Sequence, residues 1–558
     1  FVGQNGRQEQ LGGRRHACSR HSGFIKYTEK IVEEEAKHFE DNKYIIGWQI
    51  DNEIYIQAGA GCFCDNCKKE FSKYLAAKYG TIENLNQKWC TALWSQTYQS
   101  FEDIPAPQTG WHHPQLKTEW KLFQAQGHID FVKLQYDILK KYTDTPVGTD
   151  MMPLMGVDHE KMARFCDVSQ FNHYNDVPGT RYIPFWFDYL RCFDKPFWNT
   201  ETGTSWNGDT ANTLGLNPDG WCKINSFLPL MYGGNANFYW LWRTHKAGHE
   251  LIHGAVLQTN GKPYYMWDEV KELSAIFEKS EEFLSDTSVK NDVAMHISSY
   301  AENMAGHQKV AIEFDYFQNV MDCYQNTVRC GTPLDVITPS HSLDGYKTVI
   351  TPYMLTIEED GLCDKIVPFV QNGGRWIVGP LSDIRTLYGE KYTESYTGHI
   401  EKMCGIKFEH SIFDRNELLK LKWADGTDCK GRILFDLTTG GEAEVTVKAS
   451  QVKALDNLAV VSKASCGKGE IIVVGTPLEK ADFMKLIKKY CPAAFDCSEN
   501  VLAVNRVGKN VKGIIAAEVE GKEGQIVLSK KYVDVISGKN YSGTVAVSPF
   551  DLLILKEI

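Results

Sequence analysis

Tyr44-Ile45-Ile46-Gly47-Trp48-Gln49-Ile50-Asp51-Asn52-Glu53 is the stretch on which the fold turns. It opens as an apolar, β-branched run, the pattern of a strand buried on both faces. It then ends abruptly in three polar residues, two of them acidic. A parallel α/β barrel keeps its chemistry at the C-terminal tips of its strands, so an apolar strand with an acidic tip fits a catalytic position there. A strand leaving the core into a solvated acidic turn has the same pattern, and the rest of the chain must decide between them.

Upstream, Phe24, Tyr27, Ile31, Val32, Ala36 and Phe39 recur at helical spacing with Glu and Lys between them. This predicts an amphipathic helix packed on a sheet. Downstream come a Gly- and Cys-rich loop over 57–67 and a helix over 68–78, closed by Tyr79-Gly80. Residues 81–114 form a long Trp-rich excursion, a feature that often carries function. After a helix over 115–142, strand candidates recur at 146–150, 168–172, 196–200 and 236–242. Strands alternating with helices specify βαβ units and a parallel sheet.

The opening strand makes five, whereas a closed (β/α)8 TIM barrel has eight. At thirty-odd residues per unit, either roughly 100 residues of N-terminal barrel strands are missing upstream or the barrel is incomplete. A charged helix over 266–285 closes this part. Residues 290–495 alternate again in a doubly wound, flavodoxin-like α/β pattern. From Asn500 six short alternating strands read as a small antiparallel β domain. The expected domains are a catalytic barrel over 1–288, an α/β domain over 289–497 and a β domain over 498–558.

A chain of 558 residues exceeds what one hydrophobic core supports. Its 43% hydrophobic and 23% charged content is that of a soluble globular protein. The net charge of −11 argues against nucleic acid or an anionic membrane as partner. No apolar run reaches the roughly 18 residues of a membrane span, and Phe1–Arg7 lacks the apolar core of a secretion signal, so the expected location is cytoplasmic. No G-x-G-x-x-G or G-x-x-x-x-G-K-[ST] sits at a strand–helix turn, so no nucleotide or other organic cofactor is expected.

Three constellations carry chemistry. Cys62-Phe63-Cys64-Asp65-Asn66-Cys67 packs three thiols into six residues. Such spacing favours zinc, which takes four tetrahedral ligands, and Cys18 is the best fourth, with His16 and His21 nearby. Four thiolates would make a closed, structural site; reduced, unrelated cysteines are the alternative. Second, Glu53 and Glu201 each end a strand candidate, and two carboxylates across a glycosidic bond are the minimal glycosidase machine. Third, Glu250 and His253, in Gly248-His249-Glu250-Leu251-Ile252-His253, are spaced to share one face of a helical turn. A metal site, a sugar-hydroxyl clamp and a solvated turn all accommodate that spacing.

Together these stretches resemble glycoside hydrolase family 42, the β-galactosidases. The matching motifs are Gly13-Arg14-Arg15-His16, Gly47-Trp48-Gln49-Ile50-Asp51-Asn52-Glu53, Cys62-x-Cys64-x-x-Cys67, Lys195-Pro196-Phe197-Trp198 with Glu201, and Trp242-Arg243 followed by Gly248-His249-Glu250 and His253-Gly254. The resemblance implies a retaining exo-glycosidase for terminal β-galactosides or galacto-oligosaccharides. In it Glu53 is the acid/base, Glu201 the nucleophile and Asn52 the partner of the sugar 2-hydroxyl. Arg14 and Tyr174 would sit on the nucleophile side, and Trp206, Glu250 and His253 would form the walls and hydroxyl ligands of the sugar subsite. It also implies a structural zinc on Cys18, Cys62, Cys64 and Cys67, and a homotrimer assembled through the middle domain.

The chain departs from the family pattern at Phe171-Asn172-His173-Tyr174, where Trp-Asp-Asn-Tyr is usual. It also departs at Thr200, where Met is usual, at Asp150, where Asn is common, and in a shortened Glu201–Trp206 segment. These positions crowd the implied sugar pocket. A β-fucoside, an α-L-arabinopyranoside, or a binding-only paralogue without turnover are therefore the rival expectations.

Overall fold

The computed structural model describes every residue except 13–15, 57–59, 152–155, 209–214, 309–310 and 312. The chain forms two compact units: Phe1–Asp167 with His296–Val320 and Thr338–Glu479, and Val168–Met295 with Met321–Ile337 and Lys480–Ile558.

The first unit begins with α1 (Ser22–Phe39), β1 (Trp48–Gln49), α2 (Asp65–Tyr79), α3 (Ile82–Trp89), α4 (Pro114–Leu139), β2 (Val147–Gly148) and β3 (Asp150–Met151). The amphipathic helix is present as α1, but its apolar side meets a helix rather than a sheet. Phe24 stacks on Phe131 of α4 with ring centroids 5.5 Å apart, while Tyr27 and Ile31 stay exposed. The opening strand is also shorter than its sequence implies. Only Trp48 and Gln49 pair, in parallel with Val147 and Gly148. Tyr44 and Ile46 are exposed and Ile50 is buried. Among the described residues β1 has one strand neighbour, so its other edge is not paired to a strand there.

Helix α2 starts at Asp65, earlier than periodicity alone places it, because Cys64 in an extended conformation caps it. Asp65 in its first turn complements the helix dipole. Gly80, at φ 75°, ends it. Glu119 of α4 is fully buried and ties α2 to α4. It accepts from Tyr79 O–H at 2.7 Å, Tyr74 O–H at 2.9 Å and Lys78 Nζ at 2.8 Å. The Trp-rich excursion thus closes a packed subdomain in which Phe63, Phe71, Leu75, Leu85, Trp89, Trp120 and Phe123 form one core with three of the cysteines.

Later in this unit Thr348–Thr351, Arg375–Val378 and Gly469–Val474 run parallel and adjacent, as the alternating pattern predicts. The sheet then continues antiparallel through Ala459–Cys466, Glu442–Val447, Leu421–Trp423 and Asp428–Cys429. Strand–helix alternation does not disclose that extension. Its local signal is the Gly467-Lys468 turn closing Cys466 onto Gly469.

The second unit holds three parallel strands in order: β4 (Ser169–Asn172), β5 (Phe197–Glu201) and β6 (Ala236–Asn237). Pro184–Arg191, Trp221–Met231 and Trp267–Asp286 are its principal helices. The last strand candidate stops at Asn237, and 238–242 is irregular. The C-terminal antiparallel sheet is present as expected, but Thr287–Val289 and Asp496–Cys497 join it from outside the expected range, and two of its expected strands are one. Residues 524–528 and 532–536 are not two strands; Gly524–Asp534 is one, with a register irregularity between Leu528 and Tyr532. Among the described residues no helix is long and apolar enough to cross a membrane.

Candidate active site and metal centre

In the first unit the acidic tip is a bulge. Trp48 pairs with Val147 but Ile54 pairs with Met151, so the first strand carries two extra residues between these points. Asp51 (φ 55°) and Glu53 (φ 48°) adopt left-handed backbone conformations on either side of Asn52. Such conformations cost on the order of 1–3 kcal/mol each and need local support. Side chains supply it. Thr149 Oγ1 donates to the Ile50 carbonyl at 2.8 Å, Asp51 Oδ1 accepts from Asn52 N–H at 2.9 Å, and Asp150 Oδ1 accepts from Glu53 N–H at 2.9 Å. The Asn52 carboxamide oxygen accepts from Gln49 Nε2 at 3.2 Å. Arg14 lies outside the described residues.

In the second unit the residues around Glu201 converge. Glu201 is the last residue of β5, and its Oε2 accepts the Tyr174 O–H at 2.6 Å. The Tyr174 ring meets the His253 ring edge-on at 5.7 Å. His253 is buried; its Nδ1 accepts from Gly208 N–H at 3.3 Å, and its Nε2 lies 3.0 Å from the Trp240 carbonyl. These partners fix the tautomer with the proton on Nε2, and burial holds the imidazole below its ordinary pKa, neutral. Glu250 Oε2 accepts from Trp240 Nε1 at 3.1 Å, and Trp206 Nε1 donates to the Ile252 carbonyl at 2.8 Å. Tyr174, Glu201, Trp206, Glu250 and His253, which sequence spacing left scattered, therefore belong to one unit with linking contacts. Glu250 to His253 is a turn closed by His253 N–H on the Glu250 carbonyl, not a helix. Trp240, which joins Glu250 to His253, was not foreseen. Its only signal was the aromatic run inside the 236–242 strand candidate.

Two of the sequence departures touch each other. Thr200 Oγ1 donates to Asn172 Oδ1 at 2.8 Å, beside the strand end that carries Glu201. A third, His173, is buried and pushed down to about 4 by loss of solvent, with Nδ1 2.8 Å from Asn175 Oδ1. Tyr174→Phe removes one hydrogen bond to a carboxylate while keeping the ring. Such bonds contribute about 1.5–3 kcal/mol. If Glu201 is the reacting carboxylate, kcat/KM should fall roughly ten- to hundredfold, with the fold retained and the melting temperature lowered by a few degrees. Unchanged kinetics would remove Tyr174 from the site.

The cysteines also converge. The sulfurs of Cys18, Cys62, Cys64 and Cys67 all lie within 4.8 Å of one another, and among the described residues this is the only such group of possible metal ligands. Cys18 Sγ is 3.5 Å from Cys67 Sγ, and Val2 N–H donates to Cys62 Sγ at 3.4 Å. Four thiols so close cannot all ionise unaided. A hydrogen bond from Cys18 draws Cys62 down to about 6, and the same bond pushes Cys18 up. A divalent cation would let all four become thiolates. Four sulfur donors with a backbone N–H on one of them is a soft, tetrahedral donor set that suits zinc and leaves no open position.

A family model for β-galactosidase of glycoside hydrolase family 42 matches residues 1–280, and a model for the β-galactosidase trimerisation domain matches residues 291–494. The β-galactosidase YesZ of Bacillus licheniformis is 29% identical over 99% of this chain and 85% of its own length. Its Bacillus subtilis counterpart is 27% identical over 98% and 84%. The crystal structure of a β-galactosidase from Bacillus circulans sp. alkalophilus superposes with a TM-score of 0.93 at 21% identity, covering 100% of this chain and 86% of that one. The fold class is accordingly α/β, with a TIM-barrel part and a trimerisation-type domain.

Proposed function

The chain belongs to glycoside hydrolase family 42, the β-galactosidases, and from that membership we propose that it cleaves terminal, non-reducing β-D-galactosides with retention of configuration. The observation that carries this reading is the Tyr174–Glu201 hydrogen bond at 2.6 Å. It orients a carboxylate at a strand end, in the position the family motif gives to the nucleophile.

In the first step Glu201 attacks the anomeric carbon. The C–O bond breaks, its electron pair goes to the leaving oxygen, and that oxygen takes the proton held by Glu53. In the second step Glu53 removes a proton from water, whose oxygen displaces Glu201 and releases the sugar. Asn52 binds the 2-hydroxyl. Arg14, Tyr174, Trp206, Glu250 and His253 hold the carboxylate and the remaining hydroxyls. The tautomer of His253 leaves no proton on Nδ1, so it serves as a neutral wall and not as an acid.

Zinc on Cys18, Cys62, Cys64 and Cys67 is structural in this reading, supported by the closed sulfur set. A homotrimer is supported by the match over 291–494. Domain limits of 1–288, 289–497 and 498–558 are part of this reading; the matches over 1–280 and 291–494 support the first two. The same mechanism on a β-fucoside or an α-L-arabinopyranoside is the rival reading, motivated by the departures from the family pattern at Phe171–Tyr174 and Thr200.

One experiment tests chemistry and sugar together. Hydrolysis of p-nitrophenyl β-galactoside, β-fucoside and α-L-arabinopyranoside is followed by proton NMR before mutarotation. The galactoside should turn over fastest and release the β-anomer first. The α-anomer first would overturn retention. A faster fucoside or arabinoside would reassign the sugar, and no turnover on any of them would leave a binding-only protein.

A further inference from the structure

We propose that Asp150 is a positioning residue for proton transfer at Glu53, its buried carboxylate standing in for a strand carbonyl at the bulge that carries the acid. The inference rests on the acid/base reading of Glu53 and goes beyond it, because it concerns what holds that residue in place.

In the parallel pair the ladder runs regularly at first, with Trp48 N–H on the Pro146 carbonyl and Ile50 N–H on the Gly148 carbonyl, both at 2.8 Å. The two extra residues then break the register, and no regular ladder bond can reach Glu53 N–H. Asp150 Oδ1 reaches it at 2.9 Å, and pairing resumes one residue later with Ile54 opposite Met151. Asp150 is fully buried. A buried side chain with a fixed rotamer is a stiffer acceptor than water would be. The backbone it holds is left-handed at a non-glycine residue, a conformation that persists only where its surroundings over-determine it. Loss of the acceptor would let 51–53 relax and move the Glu53 carboxyl away from the leaving oxygen. A displacement of about 1 Å can cost on the order of a hundredfold in rate. A carboxamide at this position would offer the same acceptor atom, so the requirement is for that oxygen and not for the charge.

Leaving-group dependence isolates this role. A 2,4-dinitrophenolate departs without a proton, whereas the glucose of lactose does not. The kcat/KM of both galactosides is measured for the wild type, Glu53→Ala, Asp150→Ala, Asp150→Ser and Asp150→Asn. Glu53→Ala should lose about 10²–10⁴-fold on lactose and far less on the dinitrophenyl substrate. Asp150→Ala should lose roughly ten- to hundredfold on lactose with the dinitrophenyl substrate nearly unchanged. Asp150→Ser, whose hydroxyl is too short to reach, should share that selectivity, and it carries the comparison if the alanine variant does not fold. Asp150→Asn should stay close to wild type on both. Equal losses on the two substrates at position 150, or an asparagine variant as impaired as alanine, would overturn the positioning role. A Glu53→Ala enzyme without leaving-group selectivity would instead overturn the acid/base reading, and the inference would fall with it.

Discussion

Glu201→Ala is expected to abolish turnover, by on the order of 10⁴-fold or more, with the folded protein intact. The carboxylate oxygen is the atom that bonds to carbon, so no other part of the site replaces it. Truncation at the end of β5 leaves the backbone pairing of Phe197–Asn199 with the neighbouring strands untouched. It leaves Tyr174 without one acceptor on a half-buried surface that water can reach. The melting temperature should therefore move little. The space vacated by the side chain is open to a small anion. Added azide should attack the anomeric carbon from the same face and yield the α-galactosyl azide, while the parent enzyme under the same conditions gives only the β-configured product. Wild-type activity in the variant would sink the assignment of Glu201. Loss of activity without an azide product, in a variant that still binds galactose, would show that this carboxylate is not the attacking group.

The chemistry was more legible in the sequence than the geometry that holds it. Cysteine spacing announced the sulfur cluster because C-x-C-x-x-C confines three sulfurs to six residues, and the fourth, Cys18, is brought back across the 18-residue α1 and β1. Glu201 stands at the strand end its sequence implies, as the last residue of β5, whereas Glu53 does not: β1 stops at Gln49 and Glu53 lies in the bulge beyond it. The extent of the opening strand was not legible. Tyr44-Ile45-Ile46 has the composition of a buried strand, yet composition says nothing of how many neighbours a strand has, and here Tyr44 and Ile46 stay exposed with Ile45 half-buried. The bulge at Asp51–Glu53 was equally hidden. It depends on a register shift against Val147–Met151, and register is a relation between two segments roughly a hundred residues apart. Glu250 and His253 were identified, but as a helical face. The turn that joins them is organised by Trp240, whose indole and carbonyl bond to both. Side chains that act through another residue's backbone or ring leave no periodic trace.

Removing the metal is expected to cost the protein its stability before its chemistry. Purified protein should carry one zinc per chain, and a chelator or Cys67→Ser should lower the melting temperature by about 10 °C or more. Structural zinc sites contribute about 10–16 kcal/mol of apparent binding energy in small peptides, and part of that holds this subdomain shut. Cys67 sits in the first turn of α2 and is fully buried, and Cys18 and Cys62 belong to the core that includes Phe63, Phe71 and Trp120. Without a cation the four sulfurs, some only 3.5–3.9 Å apart, cannot all ionise and have no common metal bond to tie them together, so the loop carrying Cys62 and Cys64 should detach from α2 and α4. Cadmium, equally content with four thiolates, separates a structural from a catalytic role. Its substitution should restore the melting temperature and leave kcat and its pH dependence at the zinc values, since a site closed by four sulfurs has no position for water or sugar. A changed pH profile in the cadmium enzyme would mean that the metal reaches the substrate. A metal content well below one per chain in fresh protein, with an unaltered melting temperature after chelation, would return the four cysteines to ordinary buried thiols.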